Sequence, residues 1–197
     1  MKHEKYNVPR GTIEKYIDLL LTWNKKINLV SIKNADELMD RHIIDSLQLM
    51  QYIREDEVVF DIGAGAGFPG LMLSYAGIKN INLVEKVNKK ANFLIAASVF
   101  SERPPKVYDI NVEEIIAEKC DVITARGFAS LENILETTKN LNKKNTRYIL
   151  LKGKNVEIEI KKALEKWSFE YILHNSITSD DGRILELKQV IKHEKAI

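Results

Sequence analysis

Hydrophobic positions along this chain follow first a helical period and then a run of short apolar stretches, and the change divides the sequence. Ile13, Tyr16, Ile17, Leu20 and Trp23 recur at spacings of three and four, which predicts a helix with one apolar face. A second helix is predicted from Asn34, a good N-cap with Glu37 three residues on in capping-box position. Its apolar face runs Leu38, Ile43, Leu47 and Met50. The acidic run Glu55-Asp56-Glu57 then interrupts the pattern. It marks the expected boundary between a helical cap, residues 1–56, and the domain that follows, residues 57–197.

Past that break, Val58-Val59-Phe60, Ile81-Asn82-Leu83-Val84, Lys106-Val107-Tyr108, Val122-Ile123-Thr124 and Tyr148-Ile149-Leu150-Leu151 read as short strands. Helical patterns over 88–100, 131–140 and 155–166 are interleaved with them. Strands apolar on both faces, alternating with helices, predict an α/β fold with a parallel sheet covered on each side. The C-terminal part breaks the alternation. Tyr171-Ile172-Leu173 and Ile184-Leu185-Glu186-Leu187 flank the polar turn Asp180-Asp181-Gly182 with no helix between, which predicts an antiparallel hairpin closing one edge.

With 197 residues, 45% hydrophobic and 29% charged, the chain is long enough for one sizeable core and unlike a disordered, collagenous or disulfide-framed protein. A single cysteine makes neither an internal disulfide nor a cysteine-based zinc site, so a reducing, cytoplasmic setting is expected. Met1-Lys2-His3-Glu4-Lys5 lacks the apolar run of a signal peptide, and no stretch approaches the ~18 apolar residues of a membrane span. Thirty basic against twenty-eight acidic side chains leave a net charge of only +2. Any nucleic acid must therefore be held by local patches.

The stretch Asp61-Ile62-Gly63-Ala64-Gly65-Ala66-Gly67-Phe68-Pro69-Gly70 is where a ligand is expected. Closely spaced glycines at a strand end let the backbone approach a cofactor at the carboxyl edge of a sheet. The dinucleotide pattern G-x-G-x-x-G occurs from Gly65 to Gly70, and an NAD-dependent oxidoreductase is one reading of it. The register argues against that reading. Asp61 precedes the first glycine by two positions, where an anion is unwelcome to a pyrophosphate but suits the ammonium group of an amino-acid-bearing cofactor, directly or through water. Glu85, twenty-two residues after Gly63, closes the second strand and can accept both hydroxyls of a ribose. From the residues alone, an S-adenosylmethionine site is the better fit.

Read together, six segments resemble the bacterial glucose-inhibited-division-protein-B family, the 16S rRNA guanine-N7 methyltransferases. They are, in order, Trp23-Asn24-Lys25-Lys26-Ile27-Asn28-Leu29, Arg41-His42-Ile43-Ile44-Asp45-Ser46-Leu47, the Asp61–Gly70 loop with its Phe-Pro-Gly end, Asn88-Lys89-Lys90-Ala91-Asn92-Phe93-Leu94, Thr124-Ala125-Arg126-Gly127-Phe128-Ala129 and Leu151-Lys152-Gly153. The departures are mild: Glu85 stands where Asp is common, Lys86 where a small polar residue is usual, Gly127 for alanine and Met72 for a second proline.

The resemblance implies a class I S-adenosylmethionine-dependent methyltransferase fold. Its seven-stranded sheet is mostly parallel with an antiparallel last strand, and an N-terminal helical cap precedes it. It also implies transfer of a methyl group to N7 of one guanine, guanine 527, of 16S rRNA. It places cofactor contacts on Gly63, Phe68, Val112, Glu113 and Arg126, to which the loop and strand-end readings add Gly65 and Glu85. Val112 and Glu113 would read the adenine through a backbone amide and a carboxylate. Arg126 is a candidate for positioning through the methionine carboxylate, a phosphate or guanine O6. The expected partner is 16S rRNA or the small ribosomal subunit, met by a monomer without a membrane. Two alternatives stay open: a methyltransferase for another RNA or a small molecule, and a non-catalytic RNA-binding or assembly protein.

Guanine N7 has a free lone pair and no proton, so no general base is required. Other acceptors ask for more: exocyclic amines for an Asp/Asn-Pro-Pro-aromatic turn after the fourth strand, pyrimidine C5 for a nucleophilic cysteine. Thr124–Phe128 is not such a turn, Pro104-Pro105 precede the third strand, and Cys120 reads as core filling. His42, Asp45 and Ser46 crowd one helical turn and cannot form a hydrolase triad; a structural network is expected instead, and the resemblance implies that it lines the cofactor entrance. The four histidines lack metal-ligand spacing, so no metal is predicted. Lys86, Lys89 and Lys90 form one basic patch, and Lys143, Lys144 and Arg147 another. Lys152 and Lys154 share the edge of the glycine loop and are the predicted substrate contacts. Trp23 and Trp167 fall in apolar patterns and read as core.

Overall fold

Each apolar run becomes a strand in the computed structural model, which describes residues 4–9, 11–32, 34–116 and 119–194. They are β1 (Val58–Ile62), β2 (Asn80–Val84), β3 (Lys106–Tyr108), β4 (Val122–Arg126) and β5 (Arg147–Lys152). Two longer strands follow, β6 (Trp167–Asn175) and β7 (Arg183–Lys192). The seven join in the order β3-β2-β1-β4-β5-β7-β6. Neighbours among β1–β5 run parallel, and β7 lies antiparallel to both β5 and β6. The predicted hairpin thus closes the edge with its second strand inside.

Helices cover both faces. On one lie α1 (Thr12–Asn24) and a helical segment from Ala35 to Gln51. That segment starts as α2 (Ala35–Leu38), widens to π-helical Met39–Ile44, continues as α3 (Asp45–Leu47) and tightens to a 3-10 turn. Asn34 begins it as expected, its Oδ1 accepting the Glu37 N–H at 2.8 Å. The further helices are α4 (Gly70–Tyr75), α5 (Asn88–Ser98), α6 (Leu131–Thr137) and α7 (Val156–Ala163). Strand residues alternate between two cores, as the period of a strand requires. Val59, Leu83, Ile149 and Ile184 join α1, α4 and α5 in one; Phe60, Val84, Tyr148 and Leu185 join α6 and α7 in the other.

Ile13, Tyr16 and Leu20 are fully buried in the first core, each worth roughly 1.5–3 kcal/mol as apolar side chains removed from water. The cap and the sheet therefore share one apolar interior. Trp167 is buried in the second core and Trp23 packs against Phe93 with ring centroids 5.8 Å apart, both as predicted.

One charged residue of the acidic break turns inward. Glu57 is buried, and its carboxylate takes the Arg147 guanidinium at 2.9 Å. Arg147 also donates to Tyr52 O at 2.9 Å and pairs with Glu186 at 3.3 Å. Grouping Arg147 with Lys143 and Lys144 as a nucleic-acid patch is corrected by this geometry: its donors serve the fold at the amino edge of the sheet. Among the described residues no helix is long and apolar enough to cross a membrane. The reading of the first five positions rests on Met1, Lys2 and His3, which lie outside the described residues.

Candidate functional site

The glycine loop leaves β1 beside the point where the chain's crossovers reverse direction, between β1 and β4, which is where open α/β sheets hold ligands. Gly63 N–H and Ala64 N–H both donate to Val84 O, at 2.9 and 3.0 Å, and pin the loop to the end of β2. Gly63 adopts φ +68, and a Cβ there would overlap the ring of Phe128. Glu85 is buried behind the loop, one oxygen accepting from Gly65 N–H at 3.0 Å and the other from Val87 N–H at 2.8 Å. Each oxygen keeps a further lone pair, so the carboxylate is oriented to receive a vicinal diol.

Val112 and Glu113 come from a 3-10 turn after β3, Val112–Glu114. The side-chain amide of Asn140 holds that turn, donating to the carbonyls of Val112, Glu113 and Ile115 at 3.4, 3.3 and 2.5 Å. Gly63, Gly65, Glu85, Val112 and Glu113 all line a single cavity of about 400 Å³, with Lys86 and Phe128. The volume suits a small-molecule site. Its donor set fits S-adenosylmethionine: a fixed carboxylate for the ribose, an exposed carboxylate and an apolar side chain for the adenine, and a backbone floor at the glycines.

Two predicted contacts lie outside that cavity. Phe68 is buried against Tyr16, with ring centroids 5.8 Å apart, and carries the Arg126 guanidinium 5.7 Å above its ring. Arg126 ends β4 with its Nε 3.5 Å from Asp45 Oδ2. Its Nη1 is buried with no hydrogen-bond partner. Burial lowers the pKa of this guanidinium and the Asp45 carboxylate opposes that shift.

Asp61 has a different task from the one expected. It is fully buried, with Oδ2 accepting from Gly70 N–H at 2.8 Å and Oδ1 from the Thr124 hydroxyl at 2.9 Å. The carboxylate has no exposed surface and does not line the cavity that Glu85 lines, and a Cβ at Gly70 would stand 2.7 Å from Oδ2. The carboxylate joins β1, β4 and the start of α4. Burial raises its pKa to about 7 despite those two hydrogen bonds.

Lys152, grouped with Lys154 as a substrate contact, donates to Glu159 Oε2 at 2.7 Å and to Ala129 O at 3.0 Å, and only 7% of its side chain is exposed. Lys154 is exposed. The Ser46 hydroxyl donates to His42 O at 2.6 Å, and burial lowers the His42 pKa to about 4, so these side chains form no relay. Asp45 instead organises a network. Its Oδ1 accepts from Thr178 Oγ1 at 2.6 Å and Gln48 Nε2 at 2.8 Å. Cys120 is buried, and its thiol is pushed up to about 12, as suits core filling.

Sequence reasoning missed three positioning groups. Tyr16, read as an apolar face residue, donates its hydroxyl to Ala66 O at 2.6 Å and so ties the cap to the glycine loop. Phe128 was visible only as part of a motif, and Asn140 carried no signal at all.

Comparison with known proteins adds the family. Residues 10–187 match the family described as GidB, rRNA small subunit methyltransferase G. The chain is 43% identical over 189 residues to the ribosomal RNA small subunit methyltransferase G of Rickettsia typhi, covering 94% of this chain and 98% of that one. It is 43% identical over 187 residues to the protein of the same name in Orientia tsutsugamushi, covering 93% of each. Among solved structures, a ribosomal protein L11 methylase from Lactobacillus delbrueckii superposes with TM-score 0.61 at 12% identity, covering 81% of each chain. A mutant of MtNAS in complex with S-adenosylmethionine gives 0.62 at 14% identity, covering 92% of this chain and 76% of that one. These likenesses show the class I methyltransferase fold.

Proposed function

The chain belongs to the rRNA small subunit methyltransferase G family, and from that membership we propose that it methylates N7 of one guanine in 16S rRNA with S-adenosylmethionine as donor. The observation that carries the cofactor half is the convergence of residues from 63 to 113 on one cavity, with the Glu85 carboxylate fixed at its back. When bound, the cofactor supplies an electrophilic methyl group on a sulfonium.

The work left to the protein is positioning. Gly63 and Gly65 admit the cofactor close to the backbone, Glu85 receives its ribose, and Val112 and Glu113 receive its adenine. The bound cofactor would supply the methyl group to the lone pair of an acceptor nitrogen, and the chain's own residues would hold the two in line. An acceptor nitrogen without a proton needs no base, and His42, whose pKa burial depresses, packs against Phe68 with ring centroids 5.2 Å apart. The substrate in this reading is 16S rRNA, alone or within the small subunit. In this reading the protein meets its rRNA as a monomer in the cytoplasm.

Calorimetric titration with S-adenosylhomocysteine, with NAD as control, tests the cofactor assignment. Saturable binding of the first alone is expected, and binding of NAD instead would overturn it. Mass-spectrometric mapping of rRNA from a deletion strain tests the acceptor, and guanine N7 methylation unchanged in that strain would refute it. Cofactor and RNA binding without transfer would mark a non-catalytic protein. Arg126→Ala should cut transfer strongly; normal turnover would remove Arg126 from the site.

A further inference from the structure

At the amino edge of the sheet, across the molecule from the glycine loop, lies a cavity of about 660 Å³. The stretch that leads into β5, residues 142–145, forms one wall, and the end of β7, residues 189–191, forms the other. β5 is six residues long, so roughly 20 Å separate this cavity from the cofactor edge at about 3.3 Å per residue. We propose that it docks the backbone of an RNA strand, remote from the base that is methylated. Asn142 takes a ribose 2′-hydroxyl, and Lys143 and Lys144 take the flanking phosphates. The choice of RNA rests on the methyl-transfer reading above.

Three observations carry it. The first is charge. Lys143 and Lys144 are exposed, and no acidic side chain lines the cavity. Neighbouring lysines are neutralised, Lys119 by Asp121 at 3.1 Å, Lys139 and Lys192 by Glu136 at 2.7 and 2.5 Å. Among the described residues Lys143 and Lys144 pair with no acid. The Lys143 ammonium donates to Asn140 O at 3.3 Å, a neutral acceptor that leaves its charge intact. Two uncompensated ammonium groups side by side suit successive phosphates.

The second is a buried acceptor without a donor. Asn142 Nδ2 donates to Val190 O at 2.8 Å, which fixes the orientation of the amide, and Oδ1 is left with no hydrogen-bond partner. A buried polar atom in that state is costly, and a ligand hydroxyl recovers the loss. The phosphates of a nucleic acid cannot donate, and DNA lacks the hydroxyl. Each ribose of RNA carries one, beside its phosphates.

The third is the shape of the wall. Ser168 pairs with Ile191 and Glu170 with Lys188, so β7 holds one residue more than β6 between them. This bulge sets Gln189 at φ +52, a left-handed conformation that side-chain-bearing residues rarely adopt. Such strain is held only where the surrounding structure enforces it, and it gathers at ligand clamps. Beside it Ile191, 64% exposed, offers the sugar an apolar surface.

The test measures binding rather than transfer. Full chain is titrated by filter binding, over a range of salt, against naked 16S rRNA and against small subunits from cells lacking this protein. Because both lysines are exposed, Lys143→Gln with Lys144→Gln should fold as the wild type does. The pair should raise the Kd for naked rRNA roughly tenfold, and its plot of log affinity against log salt should be shallower by about 1.5, at about 0.7–0.9 per phosphate lost. Affinity for S-adenosylhomocysteine should stay within about twofold, since neither lysine lines the cofactor cavity. An unchanged slope and Kd would overturn the proposal. So would an equal effect from Lys15→Gln with Lys161→Gln, two exposed lysines that line neither cavity, because net charge alone would then account for it. Weakening toward the subunit but not toward naked rRNA would make the occupant a protein and overturn it as well.

Asn142→Ala examines the hydroxyl. Oligouridylate should compete with rRNA for the wild type better than oligodeoxyuridylate does, and the preference should shrink several-fold in the variant. A preference equal in both proteins would remove the 2′-hydroxyl contact and refute the assignment. Should the wild type bind the cofactor and RNA yet transfer no methyl group, the functional reading fails while the salt slopes still decide this one.

Discussion

Gly63 is the position where backbone geometry and the cofactor site can be separated by measurement. Its φ of +68 lies in the left-handed region, where a residue with a side chain costs about 1–2 kcal/mol. A Cβ there also overlaps the Phe128 ring. That overlap is cheap to relieve, because Phe128 is 36% exposed and follows Gly127, whose own surroundings are open. The ring can swing outward. Gly63→Ala should therefore lose about 1–2 kcal/mol of stability, the backbone cost alone, which for a chain of this size is about 2–8 °C in Tm by scanning calorimetry.

Cofactor affinity should fall further than stability does, since Phe128 lines the cavity and its displacement reshapes the floor. A Kd for S-adenosylhomocysteine raised tenfold or more, about 1.4 kcal/mol, is expected. The double variant with Phe128→Ala separates the two effects. Relative to Phe128→Ala it should still show the full loss in Tm, because the strain lies in the backbone. Recovery of the Tm in the double variant would refute the backbone argument, and an unchanged Kd in Gly63→Ala would remove the loop from the cofactor site.

Further outcomes follow from three buried groups. Asp61→Ala strands the Gly70 N–H and the Thr124 hydroxyl, and should cost about 2–4 kcal/mol in urea unfolding, whereas Asp61→Asn preserves an acceptor and stays within about 1 kcal/mol. Because burial raises the Asp61 pKa from 3.8 to about 7, the folded chain holds this proton more tightly than the unfolded one. Its contribution is complete below the unfolded value and declines as pH rises through about 7, so wild-type stability relative to Asp61→Asn should fall between pH 5 and pH 8. A constant difference would contradict the shift. Glu57→Ala leaves Arg147 without its main partner and should destabilise by about 3 kcal/mol; adding Arg147→Met should recover part of the loss, and no recovery would mean that the pair is not what holds this corner. Cys120, whose thiol is pushed up to about 12, should resist alkylation at pH 8.5 until the chain unfolds; rapid labelling of the native protein would show that it is not buried.

The central parallel strands β1, β4 and β5 were legible because their runs are largely apolar on both faces, a pattern that helices on either side impose locally. β6 was harder to delimit. It is an outer strand with exposed Tyr171 and Ile172, so its nine residues show no sustained alternation and only a central triplet stood out. The second cap helix was located by its N-cap and apolar face, yet its π-helical turn over Met39–Ile44 has no local sequence mark. In the site, Gly63, Gly65 and Glu85 could be placed because loop and strand end are close in sequence. Asp61 misled for the opposite reason. Its partner Thr124 is sixty-three residues away, so the carboxylate looked free for a ligand when it was already taken. Arg147 and Glu57, ninety residues apart, were read as surface charge for the same cause. Local patterns disclose which residues can do chemistry, and only the fold discloses which are already engaged.

The bond from Tyr16 to Ala66 has a consequence for how ligand affinity is set. It runs from a helix that does not line the cofactor cavity to the loop on which that cavity is built. Docking of α1 and ordering of that loop are thus two aspects of one equilibrium, linked through a single buried hydroxyl. Whatever loosens the helix weakens the cofactor's hold from a distance, and a bound cofactor tightens the helix by the same free energy. Substitutions scattered over the apolar face of α1 would then register as altered enzyme saturation, although none of them meets a substrate.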